Sequence, residues 1–272
     1  MDADVAFLDD RSEPLGLWTR EAKPPEDHSD LRALRIEYSS RGDRVPGRLW
    51  LPPQGEGPFA LVLLQHGLWG SKDAPYLDTT AAPWARAGAA VASIDFPLHG
   101  ERSDAKLAPR LAAALDPAAD FDPTTGAVIS EWARQSVLDL KRALDALQSL
   151  PAIDGARIAY AGFSLGAIVG VVFCSLDPRP RAAALALAGG GIGPPDADPS
   201  RYVARFAPRP LLFVNATGDE TIPREASEAL FEAAAEPKEI LWFDGTHTSL
   251  PGKALKAMWL FLQRHLALTD AP

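Results

Sequence analysis

The chain has 272 residues, enough for one large α/β domain or two small ones, and its 47% hydrophobic and 23% charged residues are ordinary for a globular protein. Its formal net charge of −9 disfavours binding to nucleic acid or to an anionic membrane through a basic face. A single cysteine, Cys174, excludes an internal disulfide and a cysteine-built metal site, and its apolar neighbours predict a place in the core.

The sequence predicts neither a signal peptide nor a membrane-spanning segment. The first residues lack the basic start and apolar stretch of a signal peptide. The longest apolar run, 165–176, is well short of the roughly 20 residues that span a bilayer. We therefore expect a soluble, cytoplasmic protein.

The first quarter of the chain predicts an extension followed by the start of a sheet. Residues 1–30 are polar and contain three prolines, which indicates an N-terminal extension at the surface. Residues 31–51 alternate in places around a turn at 41–44, which predicts a two-stranded hairpin at a sheet edge. The continuous apolar run 59–64 then predicts a strand buried on both faces.

Beyond this point strands alternate with helices. Strands are predicted over 89–95, 157–160, 182–188, 211–215 and 239–243, and helices over 75–86, 131–150, 165–176, 224–235 and 253–266. This alternation predicts a single α/β domain over 1–272, with a mostly parallel sheet covered by helices on both faces. Segments 103–130 and 190–209 are predicted as loop insertions near the site, which in such sheets lies at the carboxyl ends of the strands.

The pentapeptide Gly162-Phe163-Ser164-Leu165-Gly166 lies between a predicted strand and a predicted helix. A turn this sharp holds the serine in strained backbone geometry with its hydroxyl above the sheet. A Cβ at either glycine is expected to collide with the neighbouring strand or helix. The following helix directs its N-terminus, which favours negative charge, at this serine.

The residues just past each predicted strand form a short set of candidates. They are His66, Asp95, His99, Ser164, Asp219 and His247. Their order of serine, acid and histidine, together with the pentapeptide, resembles the alpha/beta-hydrolase superfamily over about residues 31–268. Within this superfamily, segment 95–102 and the short loops resemble the dienelactone-hydrolase-like esterases. Dienelactone hydrolases proper carry cysteine at the nucleophile position, so Ser164 favours ordinary esters over their lactone chemistry.

The resemblance implies catalytic roles for three side chains. Ser164 is the candidate nucleophile, and it needs an adjacent base because a hydroxyl is a poor nucleophile at neutral pH. His247 is the candidate base, since imidazole titrates near neutrality and can return the proton to the leaving group. Asp219 is the candidate acid that orients the imidazole.

The acid has two competitors, because Glu220 is adjacent to Asp219 and Asp244 lies close to His247 in sequence. Asp219 is preferred because it stands three residues before Ile222-Pro223, as in the family's Asp-x-x-Val-Pro pattern.

The resemblance also implies an oxyanion hole built from the backbone N–H groups of Leu68 and Leu165. Trp69, the next residue, is a candidate for lining the acyl pocket, although packing against neighbouring loops explains it equally well. His66 and His99 are interpreted as loop-fixing residues, with His66 also a candidate substrate contact. The remaining histidines, His28 and His265, are interpreted as solvated or packed side chains.

These features predict a serine hydrolase that cleaves carboxylic esters through an acyl-enzyme intermediate, with no cofactor and no metal. Segment 190–209 is too short for a multi-helix cap, which predicts a fairly open pocket for small or medium acyl groups. A thioesterase, acyltransferase or peptidase with the same triad is the alternative within catalysis. A non-catalytic binding protein on this scaffold is the alternative outside it. The expected partner is a small-molecule ester, and the sequence leaves the oligomeric state open.

Overall fold

The computed structural model describes residues 12–115 and 122–268. Parts of two predicted segments, 1–30 and 103–130, therefore lie outside the described residues. Across the described ranges, no helix is long and apolar enough to cross a membrane. That one domain spans 1–272 stays a prediction.

One sheet organises the described part of the chain. Its nine strands are β1 (Trp18–Ala22), β2 (Arg32–Ser40), β3 (Asp43–Leu51), β4 (Phe59–Gln65), β5 (Ala90–Ile94), β6 (Ile153–Phe163), β7 (Pro180–Ala186), β8 (Leu211–Ala216) and β9 (Lys238–Phe243). They lie in the order β1-β2-β3-β5-β4-β6-β7-β8-β9. The pairs from β1 to β3, and β3 with β5, are antiparallel, whereas every pair from β5 across to β9 is parallel. The mostly parallel sheet and the β2–β3 hairpin are thus confirmed.

Helices cover both faces of this sheet, as predicted. They are α1 (Pro75–Arg86), α2 (Ala108–Ala114), α3 (Pro123–Gln148), α4 (Leu165–Leu176), α5 (Arg224–Ala233) and α6 (Gly252–His265). One core cluster contains α3, α4 and α5, and a second contains α1 and α6. β4 shows why its run is continuously apolar: Leu61 and Leu63 belong to the first cluster, whereas Val62 and Leu64 belong to the second. Cys174 is buried in the first cluster, as predicted.

The N-terminal extension contributes a strand that the sequence did not predict. β1 pairs along its whole length with β2 and so occupies the edge of the sheet assigned to the hairpin. Four of its five residues are exposed, and Trp18 is 45% exposed. Since neither face of β1 is buried, its sequence carries no apolar alternation to reveal a strand.

Segment 103–130 is not all loop, because it contains α2 and the first turns of α3. Asp122 caps α3 by accepting hydrogen bonds from the backbone N–H groups of Thr124 (2.7 Å) and Thr125 (2.9 Å), and Pro123 occupies the first turn. A capping aspartate and a first-turn proline both stabilise a helix start. They offset the weak helix propensity of Thr124, Thr125 and Gly126, which had placed the start of α3 later, at 131.

Segment 190–209 contains two short 3-10 turns, Pro199–Arg201 and Val203–Phe206, and no α-helix. Its bulky apolar residues, Tyr202, Val203 and Phe206, are buried in the first core cluster. The prediction that this segment forms no multi-helix cap is confirmed.

Candidate active site

Ser164 lies at the sharp turn between β6 and α4. Its φ of 50° and ψ of −117° fall in a strained region for a residue with a side chain. Its backbone N–H donates a 2.8 Å hydrogen bond to the carbonyl of Ala186 at the end of β7, which ties the turn to the sheet. The strain is therefore held in place by the surrounding structure, with the serine at the N-terminus of α4.

Both glycines of the pentapeptide are required by close backbone contacts. A Cβ on Gly162 would lie 2.6 Å from the carbonyl carbon of Gly166. A Cβ on Gly166 would lie 2.5 Å from the carbonyl oxygen of His66 at the end of β4. The predicted collisions are confirmed, and these contacts let β4, β6 and α4 meet at Ser164.

His247, beyond β9, joins the serine to an aspartate. Its Nε2 lies 2.8 Å from Ser164 Oγ, and its Nδ1 lies 2.8 Å from Asp219 Oδ2 and 3.0 Å from Oδ1. A carboxylate accepts only, so Nδ1 carries the proton and Nε2 is free to accept the serine proton. The structure thus brings together three side chains that lie far apart in the sequence.

Asp219 is held by its own turn after β8. Its Oδ1 accepts hydrogen bonds from the backbone N–H groups of Thr221 (2.9 Å) and Ile222 (2.8 Å). This explains the Asp-x-x-Ile spacing, since the carboxylate organises the turn that presents it to His247. Of the competing acids, Asp244 is exposed and accepts from Thr217 Oγ1 at 3.3 Å, and Glu220 is exposed.

The loops that carry the aspartate and the histidine are also bonded to each other. Gly218 N–H donates to Gly245 O at 3.0 Å, and Thr217 N–H donates to Phe243 O at 2.9 Å. These bonds extend the pairing of β8 with β9 beyond the ends of the strands. They fix the distance between Asp219 and His247.

His66 does not contact the cavity at the site, contrary to the candidate role in substrate binding. It is fully buried, and its Nδ1–H donates to Gly67 O at 2.8 Å while its Nε2 accepts from Phe96 N–H at 3.3 Å. Burial lowers the pKa of His66 to about 3, so the ring is neutral at physiological pH. These two hydrogen bonds make His66 a residue that fixes the turn after β4.

That turn lies against the serine. A Cβ on Gly67 would be 3.3 Å from Ser164 Cβ and 3.8 Å from Ser164 Oγ. Gly67 N–H donates to Tyr76 Oη at 2.9 Å and is therefore already occupied. The next backbone N–H along the turn is that of Leu68. Trp69 follows with a φ of 64° and a side chain that is 70% exposed, and it lines the cavity beside Ser164.

Side chains of segment 95–102 hold neighbouring loops together through hydrogen bonds. Asp95 is fully buried and accepts from the backbone N–H groups of Lys72 (2.7 Å) and Glu101 (2.9 Å), and its burial raises the pKa of its carboxyl. His99 Nδ1–H donates to Pro97 O at 2.9 Å, and burial lowers the pKa of His99. The predicted loop-fixing role of His99 fits this geometry.

A large cavity of about 1030 Å³ opens at Ser164 and His247. Besides the serine, the histidine, Leu68 and Trp69, it is lined mainly by apolar residues of α2, α3 and α4, together with Ile222, Leu250 and Leu255. α2, inside the segment predicted as a loop, forms one wall. No sequence pattern predicted this wall, because the alanines of α2 carry no periodicity that indicates a pocket.

The buried neutral state of His66 leads to a prediction on stability. With a folded-state pKa of about 3 against an ordinary 6.5, the folded protein binds fewer protons than the unfolded chain between these values. The stability from the neutral ring is fully present above pH 6.5 and is lost as the pH falls toward 3. In His66→Asn, the amide nitrogen takes the place of Nδ1 but does not titrate.

Urea unfolding of both proteins from pH 7 to pH 4 measures the effect. The free energy of unfolding of the wild type is expected to fall by about 3 kcal/mol more than that of His66→Asn over this interval. Parallel curves for the two proteins would contradict a buried neutral His66.

No group of three or more His, Cys, Asp or Glu side chains suited to a metal ion occurs among residues 12–115 and 122–268.

Several solved structures share this fold. A PEG-bound cold-adapted esterase from an Arctic intertidal metagenomic library superposes with a TM-score of 0.74 at 22% identity, covering 90% of this chain and 97% of its own. An acetyl xylan esterase from Paenibacillus sp. R4 gives a TM-score of 0.75 at 20% identity, with 97% and 92% covered. A putative dienelactone hydrolase from Klebsiella pneumoniae gives a TM-score of 0.64 at 17% identity, with 93% and 100% covered. At these identities the likeness establishes the fold.

In sequence, no curated protein matches the chain. A family model, Serine hydrolase (FSH1), matches residues 113–257, more than half of the chain. This match spans the β6–α4 turn with Ser164 as well as Asp219 and His247. The resemblance to the alpha/beta-hydrolases is confirmed, and the chain belongs to the serine hydrolase (FSH1) family.

Proposed function

We propose that this serine hydrolase cleaves carboxylic esters through an acyl-enzyme intermediate on Ser164. The observation that carries the proposal is the hydrogen-bonded series in which Asp219 contacts His247 Nδ1 and His247 Nε2 contacts Ser164 Oγ. Nucleophile and base lie at the separation that proton transfer requires, and the base is itself oriented by a third group.

The chemistry follows in two half-reactions. His247 Nε2 takes the proton of Ser164 as Oγ attacks the ester carbonyl, and Asp219 stabilises the imidazolium that forms. The imidazolium then donates its proton to the departing alcohol oxygen, which leaves the acyl group on Ser164. Water activated by the same imidazole hydrolyses the acyl-enzyme and restores the serine.

The oxyanion of each tetrahedral intermediate is proposed to bind the backbone N–H groups of Leu68 and Leu165. Leu165 is the first residue of α4, where N–H groups lack helical partners and the helix dipole favours negative charge. Leu68 follows Gly67, which packs directly on Ser164. A donor of this kind is worth about a hundred- to a thousandfold in rate.

Three considerations favour esters with apolar acyl groups, and the small to medium size expected from the short segment 190–209 stays part of the proposal. The nucleophile is serine, the cavity is mainly apolar, and two of the similar structures are described as esterases. Trp69 is proposed to contact the substrate from the mouth of the cavity. A cytoplasmic location stays a prediction, supported by the buried free Cys174.

A substrate panel tests the proposal. Hydrolysis of matched p-nitrophenyl esters, thioesters and p-nitroanilides with identical acyl groups is followed in parallel, and the highest kcat/KM is expected for the esters. Faster turnover of thioesters or anilides would replace the ester assignment with a thioesterase or a peptidase. Product analysis with an added alcohol acceptor tests the acyltransferase alternative, for which transfer would exceed hydrolysis.

A further inference from the structure

Resting on the proposed ester hydrolysis, we infer that the acyl part of the substrate is an apolar chain of about eight carbons. This chain lies along α4, between α3 and α2, in what we call the acyl channel. The channel is the part of the cavity bounded by the inward faces of these three helices.

One face of α4 provides the floor of the acyl channel. Leu165, Ile168, Val169 and Val172 all line the cavity, and their spacing puts them on a single face of the helix. At 1.5 Å per residue this face extends about 10 Å from the residue next to the nucleophile. Because the bonds of about 1.5 Å zigzag, an extended alkyl chain advances about 1.3 Å per carbon, so about eight carbons cover that length.

α3 provides the facing wall with the same periodicity. Ile129, Trp132, Ala133 and Val137 line the cavity, and each is at most 8% exposed. Trp132 is fixed, because its Nε1–H donates to Pro97 O at 2.8 Å. Ala133 is the small residue between larger neighbours on this wall, so a bulkier side chain at this position would narrow the channel.

The inner end of the acyl channel offers no partner for a polar acyl group. Among the described residues that line it from α2, α3 and α4, the one polar side-chain atom is Trp132 Nε1, and its hydrogen bond to Pro97 O is already made. A hydroxyl or charged group placed there would lose its hydration without compensation. The channel therefore selects hydrocarbon chains.

The position of His247 decides which half of the ester enters this channel. The departing oxygen receives its proton from His247 Nε2, so the alcohol must lie beside that ring. The cavity is also lined by Thr248 and Leu250, from the loop that carries His247, and by Ile222, from the loop that carries Asp219. The α4 face starts instead at Leu165, at the proposed oxyanion site, which assigns the channel to the acyl chain.

The test compares p-nitrophenyl esters from acetate to hexadecanoate with wild type, Ala133→Phe and Ala127→Phe. For the wild type, kcat/KM is expected to rise to a maximum near the octanoate and to fall for longer chains. In Ala133→Phe the added ring occupies the channel, so the ratio of octanoate to acetate activity should fall by about tenfold or more. Ala127 is exposed on the same helix and does not line the cavity, so Ala127→Phe should keep the wild-type profile.

A second variant works in the opposite direction and guards against misfolding of the first. Val172→Ala removes two methyl groups at the end of the α4 face that is farthest from Ser164. The channel becomes longer, so the acyl length with the highest kcat/KM should increase. An optimum at acetate in the wild type, or profiles unchanged in both Ala133→Phe and Val172→Ala, would overturn the acyl channel while leaving the esterase proposal intact. Absence of turnover for every ester by folded wild type would overturn the proposed function and the channel with it.

Discussion

Replacing Ser164 by alanine is expected to lower kcat for ester hydrolysis by about a million-fold, because it removes the oxygen that we propose forms the covalent intermediate. The fold should persist, because the variant loses the hydrogen bond between the hydroxyl and His247 Nε2 but keeps the bond from the backbone N–H of residue 164 to the Ala186 carbonyl. Steady-state hydrolysis of p-nitrophenyl butyrate, with circular dichroism as a check on folding, measures the effect.

Ser175→Ala is the matched control. Ser175 lies on α4, and its hydroxyl donates to Val171 O at 2.7 Å, remote from the proposed chemistry. Its replacement should leave kcat near the wild-type value. If Ser164→Ala keeps more than a trace of activity, the nucleophile lies elsewhere.

Asp219→Asn is expected to lower kcat by about ten thousand-fold, the second largest effect. The asparagine amide can donate to His247 Nδ1, which moves the proton to Nε2 and blocks acceptance of the serine proton. The loss should appear in kcat more than in KM, because the aspartate stabilises an imidazolium that exists during reaction and not before it. The kcat and KM of the purified variant give the result.

Asp244→Asn and Glu220→Gln separate this role from the two competing acids of the same region. Neither side chain is among the hydrogen-bond partners of His247 in the described residues, and both are exposed. Both variants should retain wild-type kcat. A large loss in either of them with a mild effect in Asp219→Asn would assign the acid to that residue instead.

The sequence predicted the parallel half of the sheet well, because buried elements carry strong patterns. α1 and α4 have the bounds predicted for them, since a proline start and a continuous apolar run mark their limits. β1 was not predicted, because an exposed edge strand has no apolar periodicity. The start of α3 was predicted too late in the chain. Its cap, Asp122, accepts hydrogen bonds from two backbone N–H groups, and helix propensity does not include this contribution.

The site was predictable wherever backbone geometry dictates residue type. Gly162 and Gly166 mark the serine turn because a Cβ at either position meets backbone atoms. The Asp219 turn likewise follows from its hydrogen bonds to Thr221 and Ile222. His66 was misassigned as a substrate contact because a residue at a strand end can point toward the cavity or into the core, and only the fold decides.

The shape of the cavity lay beyond sequence reasoning for a different reason. α2 comes from a segment whose small residues form no helical pattern. The spacing that predicted α3 from residue 131 does not show that Ala133 lines a cavity, which makes it part of the proposed acyl channel. Small side chains leave no periodic signal, and the space they leave open depends on where α4 passes. The fairly open pocket expected from the short segment 190–209 stays a prediction, and α2 and α3 add helical walls to the cavity that the sequence did not predict.

The most direct measurement is the intact mass of the protein after incubation with an alkyl fluorophosphonate, which reacts with an activated serine and needs no knowledge of the substrate. One adduct is expected on the wild type, none on Ser164→Ala, and one on the Ser175→Ala control. Peptide mapping should place the adduct on Ser164. A wild type without an adduct, or an adduct that persists in Ser164→Ala, would contradict the assignment of Ser164 as the nucleophile.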